Sequence, residues 1–448
     1  MDTNRFKKCL FILLFVIAMI APLESAYSIE VKRETLENGL VALHLQRHNL
    51  PIVKISLLIK TSSLDDPKDL AGLSYMTAQM LLEGTTTMTS KQISEEIEFM
   101  GASLESTSNV DYTVVSLSIL KKDIEAGFKI FADVLLNPIF SEEELRHNKD
   151  VVKGSLKQEE ESPGFVANKA FIKAVYADHA YGRLPMGSDE TIDKITRNDL
   201  IDFHSKHYVP GQSILVCVGD ITYEELKELT AKYMGQWQNK PVQTNNSDNV
   251  YNTKPNKVIN INREITQANI VVGAKGIKRS EPDYYAVSVM NYILGGGGFA
   301  SRLMEEIRDN KGFAYDVHSA FETYKYGGHL EVVVQTKNEY SNTVINDILQ
   351  EFDRMKKDMI SDDELKNAKA YLTGSFPRRI DTMDKIAVFL ALSEFYGLGM
   401  DYDKKYQQYI NAVTKEDILR VAQKYLPSAN EYVMVIVGNQ KMIKNKKR

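Results

Sequence analysis

Ile195–Asp220 reads ITRNDLIDFHSKHYVPGQSILVCVGD, and Val413–Asn439 reads VTKEDILRVAQKYLPSANEYVMVIVGN. The two stretches are echoes. Asp199 stands opposite Asp417, Tyr208 opposite Tyr425 and Pro210 opposite Pro427. A second echo lies upstream of each: SEEELRHNKDVVKGS, Ser141–Ser155, and SDDELKNAKAYLTGS, Ser361–Ser375. The offsets are 218 for Asp199, 217 for Tyr208 and 220 for Ser141. Independent segments that share so long an offset imply tandem homologous domains, since solenoid repeats have much shorter periods.

The rest of the chain fits that reading. At 448 residues it exceeds what one hydrophobic core usually supports. Its 43% hydrophobic and 26% charged content is that of a globular protein. A net charge of -5 gives no basic excess for nucleic acid. Asn239–Lys257, NKPVQTNNSDNVYNTKPNK, is polar, holds two prolines and lacks periodicity, as a linker does. The expected domains are therefore 29–238 and 258–440, with a solvated basic tail at 441–448 that carries Lys441, Lys444, Lys446, Lys447 and Arg448.

The first 28 residues read as a secretory signal peptide. Arg5, Lys7 and Lys8 precede the apolar run Cys9–Ala21, and Ala26 and Ser28 supply small residues at a cleavage site. The run is short for a membrane span, so no span is expected after cleavage. Cys9 begins the run, which is wrong for a lipoprotein site. The mature chain would keep only Cys217, inside the buried-strand pattern SILVCVGD. Export without a disulfide suits the bacterial periplasm.

Each half mixes strands and helices. Val53–Ser62 alternates as a strand, and Gly72–Gly84 reads as a helix closed by glycine. SLESTSN and YTVVSLSIL form an antiparallel pair with Asn109–Asp111 at the turn. DIEAGFKIFADVLL is an amphipathic helix. Ser141-x-x-Glu144 and Ser361-x-x-Glu364 are capping boxes, and Pro163 opens a further helix. The fold class is α+β: two homologous domains, each a mostly antiparallel sheet packed with helices.

Three stretches carry a family resemblance: Leu36–Thr85, Tyr176–Asp220 and LGGGGFASRLMEEIRDNKGFAYDVHSAF, Leu294–Phe321. Together they resemble the pitrilysin/insulinase metallopeptidases, processing-peptidase branch, over nearly the whole mature chain. Active members carry H-x-x-E-H on a helix of the first domain. Positions i and i+4 share one helical face, so two histidines grip one zinc, and the glutamate takes a proton from the bound water. Here the matching helix reads GLSYMTAQMLLEGT. Tyr75 stands at the first histidine, Ala78 at the glutamate and Gln79 at the second histidine, while Ser155 takes the place of the third ligand, a glutamate. The resemblance implies no zinc in this chain. Glu83, Glu159, Glu160 and Glu161 nearby read as a solvated acidic face.

The resemblance also implies an arginine and a tyrosine seven residues apart that reach the substrate backbone and the developing oxyanion. Arg308 and Tyr315 have that spacing; an arginine offers a fork of donors and a tyrosine adds a hydroxyl. Gly295, Gly296, Gly297 and Gly298 resemble the glycine-rich loop of the non-catalytic processing-peptidase subunit, where glycine lets a peptide approach the backbone. A hinge is the other reading of that run. His204 and His207, three apart, form at most a minor zinc candidate, and His179 reads as structural. The function implied is a zinc-less subunit of an exported heteromeric peptidase, which gives Arg308, Tyr315 and half a chamber to a zinc-bearing partner that hydrolyses peptides. The alternatives are a scaffold or peptide-binding protein of the same fold and, less favoured, a self-sufficient metallopeptidase.

Overall fold

The computed structural model describes residues 30–242, 250, 257–428 and 431–444. The expected signal peptide, most of the linker and the end of the basic tail lie outside them. From Val31 onward the chain forms one compact unit. Among the described residues no helix is long and apolar enough to cross a membrane.

Two sheets carry the fold. The first holds β1 (Lys32–Thr35), β2 (Val41–Gln46), β3 (Ile52–Ile59), β4 (Ser103–Ser108), β5 (Thr113–Leu120) and β6 (Ser213–Gly219), in the order β1-β2-β6-β3-β5-β4. The second holds β7 (Lys257–Asn262), β8 (Gln267–Lys275), β9 (Ala314–Thr323), β10 (Gly328–Lys337) and β11 (Val433–Gly438), in the order β7-β11-β8-β10-β9. Apart from β1 the two orders are the same. In each sheet the last strand in sequence inserts between two earlier ones, parallel to one and antiparallel to the other: β6 between β2 and β3, β11 between β7 and β8. These two strands end the two echoed stretches. β7 opens at Lys257, one position inside the expected linker.

Every residue of β6 and of β11 is buried. A strand buried on both faces needs a layer on each side, and the second layer comes from the opposite half. Helix Pro163–Tyr176, from the first half, packs on β8 and β11 of the second sheet. Helix Met383–Phe395, from the second half, packs on β3 and β6 of the first. Phe171 and Val175 thus share one core with Val433, Val435 and Val437. The exchange is pinned by polar contacts: Arg33 donates twice to the Glu394 carboxylate at 2.9 and 2.7 Å, Lys54 pairs with Asp384 at 2.6 Å, and Asn168 donates to Glu331 at 2.9 Å.

Helix starts follow side-chain chemistry. Thr196 with Asp199, Thr414 with Asp417, and Ser361 with Glu364 each form a closed capping box. The box expected at Ser141 and Glu144 is not made: the Ser141 side chain caps nothing. Arg197 holds the carbonyls of Ile139 and Phe140 at 2.9 Å, and Phe140 sits in the left-handed region at φ 48. Ser141 then enters the helix at ψ 135, against 162 at Ser361, and its hydroxyl misses the backbone N–H.

Candidate functional site

The helix that should hold a metal is Leu73–Met80. Gly72 precedes it at φ 102, where an added Cβ would meet the Met186 carbonyl at 2.9 Å. The Asp66 carboxylate accepts from Gly72 N at 2.9 Å and Ser74 N at 2.8 Å, which satisfies N–H groups that a first turn leaves free. Burial pushes the Asp66 carboxyl up to about 7.

Tyr75 and Gln79, one turn apart, are both partly exposed, while Ala78 is fully buried. Gln79 Nε2 donates to the Ser106 carbonyl of β4 at 3.2 Å. Ser155 is exposed on helix Glu142–Glu161, which packs beside Leu73–Met80, and its hydroxyl donates to the Val151 carbonyl at 3.1 Å. The two helices that carry these positions pack together, but the donor set does not fit zinc. Zinc takes imidazole, thiolate or carboxylate, and these positions offer a phenol, a methyl, an amide and a hydroxyl. Among the described residues no group of three or more His, Cys, Asp or Glu is placed to hold a metal ion. Glu83 accepts from Ser90 Oγ at 2.7 Å, and Glu160 is paired with Lys169.

The second half carries the other candidates. Helix Tyr284–Asn291 continues into a wide turn at Tyr292–Gly296 and a tight one at Gly298–Ala300, and Arg308 lies on the irregular helix Met304–Asn310. The Arg308 guanidinium stands 4.4 Å from the Phe299 ring centre and 5.4 Å from that of Tyr315. Phe299 is 71% exposed and Tyr315, on the edge strand β9, is 86% exposed. Among the described residues the only carboxylate paired with Arg308 is that of its neighbour Asp309, at 3.9 Å. The rings hold the guanidinium by cation–π attraction, and its side chain is 27% exposed. Phe299 is the member of this group that the motif reading missed. The signal was a large aromatic placed directly after four glycines, where no periodicity asks for a core residue.

Most of the glycine run faces its own fold. A Cβ on Gly295 would fall 2.6 Å from both N and Oγ of Ser319, and Gly296 and Gly297 are similarly crowded by Asn291 and Tyr292. Only Gly298, at φ 57, has open space around its missing Cβ.

The histidine pair is divided between separate tasks. His204 Nε2 lies 2.8 Å from the Leu135 carbonyl, and burial lowers its pKa to about 4. His207 packs on Phe203 at 4.5 Å between ring centres. His179 Nδ1 accepts from Tyr181 N at 3.1 Å. Cys217 is fully buried in β6, where burial pushes its thiol up to about 12.

These features define a two-domain metallopeptidase fold whose metal donors have been replaced. Residues 41–188 match the model of the insulinase family, peptidase family M16, and residues 194–372 match that of the peptidase M16 inactive domain. The chain belongs to this pitrilysin/insulinase family. A Bacillus subtilis protein named as an uncharacterized zinc protease is 26% identical over 345 residues, 77% of this chain and 83% of its own length. A similarly named Mycobacterium leprae protein is 26% identical over 410 residues, 90% and 91% of the two chains. Among solved structures, a peptidase M16 inactive domain from Pseudomonas fluorescens superposes with a TM-score of 0.84 at 27% identity, covering 91% of this chain and 98% of that one. A Helicobacter pylori protease, at 19% identity and also TM-score 0.84, covers 92% of this chain and 100% of its own; it shares the fold.

Proposed function

We propose that this chain is the zinc-less subunit of an exported, heteromeric peptidase. The observation that carries this reading is Arg308. It is held over two exposed aromatic rings without a strong carboxylate partner, in a chain whose own metal positions are lost. A relative that keeps H-x-x-E-H would supply the metal and the base. Arg308 and Tyr315 would offer N–H and O–H donors to the carbonyl oxygen that gains charge when a peptide is cleaved. Strands β4 and β9 are sheet edges, and such edges can pair with an extended peptide. Gly298 gives such a backbone room beside the Arg308 group. Export rests on the charged and then apolar N-terminus and would place the complex in a bacterial periplasm.

The test is to purify the C-terminally tagged chain from its own envelope and identify what accompanies it. A co-purifying relative with H-x-x-E-H and peptidase activity is expected. In that complex Arg308→Ala should lower kcat/KM on the order of 10²–10³-fold while the subunits still co-elute. Full activity in the variant removes the role, and a partner without a peptidase motif favours the scaffold reading.

A further inference from the structure

A second site lies on the helix that crosses to the first sheet. A cavity of about 550 Å³ opens between helix Met383–Phe395 and the turn Phe376–Arg379. Phe376, Val388, Phe389, Leu392, Leu398 and Tyr402 give it an apolar wall. The rings are ordered: Phe389 stacks on Tyr402 with centres 5.9 Å apart, and Phe376 meets Phe389 edge-on at 5.9 Å.

The charges around this wall do not balance. Arg279 is half-buried in it, donating to the Tyr402 hydroxyl at 2.8 Å with its guanidinium 3.8 Å from the Tyr284 ring centre. Arg378 and Arg379 are exposed on the lining. None of the three has a carboxylate partner among the described residues. The one lining acid, Asp384, is already paired with Lys54 at 2.6 Å, and the remaining cation, Lys385, is paired with Asp381 at 2.8 Å. Ser393 also lines the cavity, is 1% exposed, and its hydroxyl has no hydrogen-bond partner among the described residues. A buried hydroxyl costs stability when unpaired, so it marks a place where a ligand oxygen gains a bond. An apolar cavity of this size with a few convergent polar groups is the usual form of a small-molecule site.

We propose that this cavity binds a small amphiphilic carboxylate. Its alkyl or aryl body lies against Phe376, Phe389 and Leu392, and its carboxylate meets the Arg279 fork and the Ser393 hydroxyl, with Arg378 and Arg379 drawing it in. Arginine matches a carboxylate with two parallel N–H donors, which a quaternary ammonium of equal length cannot use. The reading is independent of the peptidase role, since none of these residues belongs to the Arg308 group.

The test titrates the full chain by calorimetry with dodecanoate and with dodecyltrimethylammonium, both below micelle formation. Dodecanoate is expected to bind one per chain and the ammonium not at all. Arg279→Gln should weaken dodecanoate about tenfold, the scale of one lost charge-assisted pair. Val388→Trp, at a position already 52% exposed and so tolerant of change, should fill the cavity and abolish binding. A short peptide ending in free phenylalanine shares the chemistry. If it displaces dodecanoate and its amidated form does not, the natural source is a peptide C-terminus; if it does not compete, the source is a fatty acid. Equal binding of the ammonium, unchanged binding in both variants, or binding of neither dodecanoate nor the peptide overturns the proposal.

Discussion

Asp66 shows how one residue sets the geometry of the degenerate helix. Its carboxylate receives two backbone N–H groups at the start of Leu73–Met80, yet burial raises its pKa from 3.8 to about 7. The folded state therefore binds a proton that the unfolded state releases. This contribution is largest below pH 4 and is lost as pH rises to about 7, at most roughly 4 kcal/mol across the window. Asp66→Asn cannot titrate and loses an acceptor, so it should cost about 1–3 kcal/mol near neutral pH. Denaturant melts at several pH values should show the wild-type advantage shrinking between pH 4 and 7. A flat difference would mean that the folded carboxyl is already ionised. Gly295 makes a second prediction: Gly295→Ala places a methyl against Ser319 and should cost about 1–3 kcal/mol by overpacking, measured by the same melts. At this scale the helix that carries Tyr75, Ala78 and Gln79 was legible, because glycines bound it and apolar residues fill it. The inward packing of the glycine run was not, because a glycine's sequence signal is the same whether it makes room for a ligand or for its own strand.

At the scale of elements, caps and exchanged helices answer differently to the same logic. Ser141 and Ser361 have matching sequence contexts, but only Ser361 closes its box. Ser361→Ala should cost about 1 kcal/mol, while Ser141→Ala should fall within about 0.5 kcal/mol of wild type. Equal losses in chemical denaturation would show that the Ser141 box forms in solution. The difference was invisible in the sequence because it arises from Arg197, which holds the preceding carbonyls from 57 and 58 positions away. The exchange of helices was equally hidden. The helix opened by Pro163 was legible, but no periodicity says which sheet an apolar face will meet. Uninterrupted apolar runs in β6 and β11 were the available clue, since such strands need cover on both faces. Phe171→Ala, in a helix of the first half, should cost about 3–5 kcal/mol through a cavity in the second half's core.

At the scale of the whole molecule the exchange makes the tandem repeat one structure. The repeat itself was readable from two echoes with a common offset, and with it the α+β class; the duplicated strand order came only from the structure. Their union was not, because it depends on contacts between residues far apart in the chain. Asp111, at the turn between β4 and β5, accepts from Tyr181 at 2.6 Å, from Lys325 N at 2.8 Å and from Tyr396 at 3.2 Å, so one buried carboxylate ties the first half to the β9–β10 turn and to the exchanged helix. Together with Arg33–Glu394 and Lys54–Asp384 it closes the same seam on which the two helices cross. Either half alone would expose the face that the other's helix covers and leave a strand such as β6 or β11 bare on one side. The chain should therefore unfold in one cooperative transition, and a cut within residues 243–249 should leave both pieces together on gel filtration. Each piece expressed alone should aggregate or stay unfolded, and mixing the two during refolding should restore the single transition. Two separate thermal transitions, or a first half that is monomeric and folded by itself, would show that the exchanged helices add little to stability and that the halves are independent domains joined by a tether.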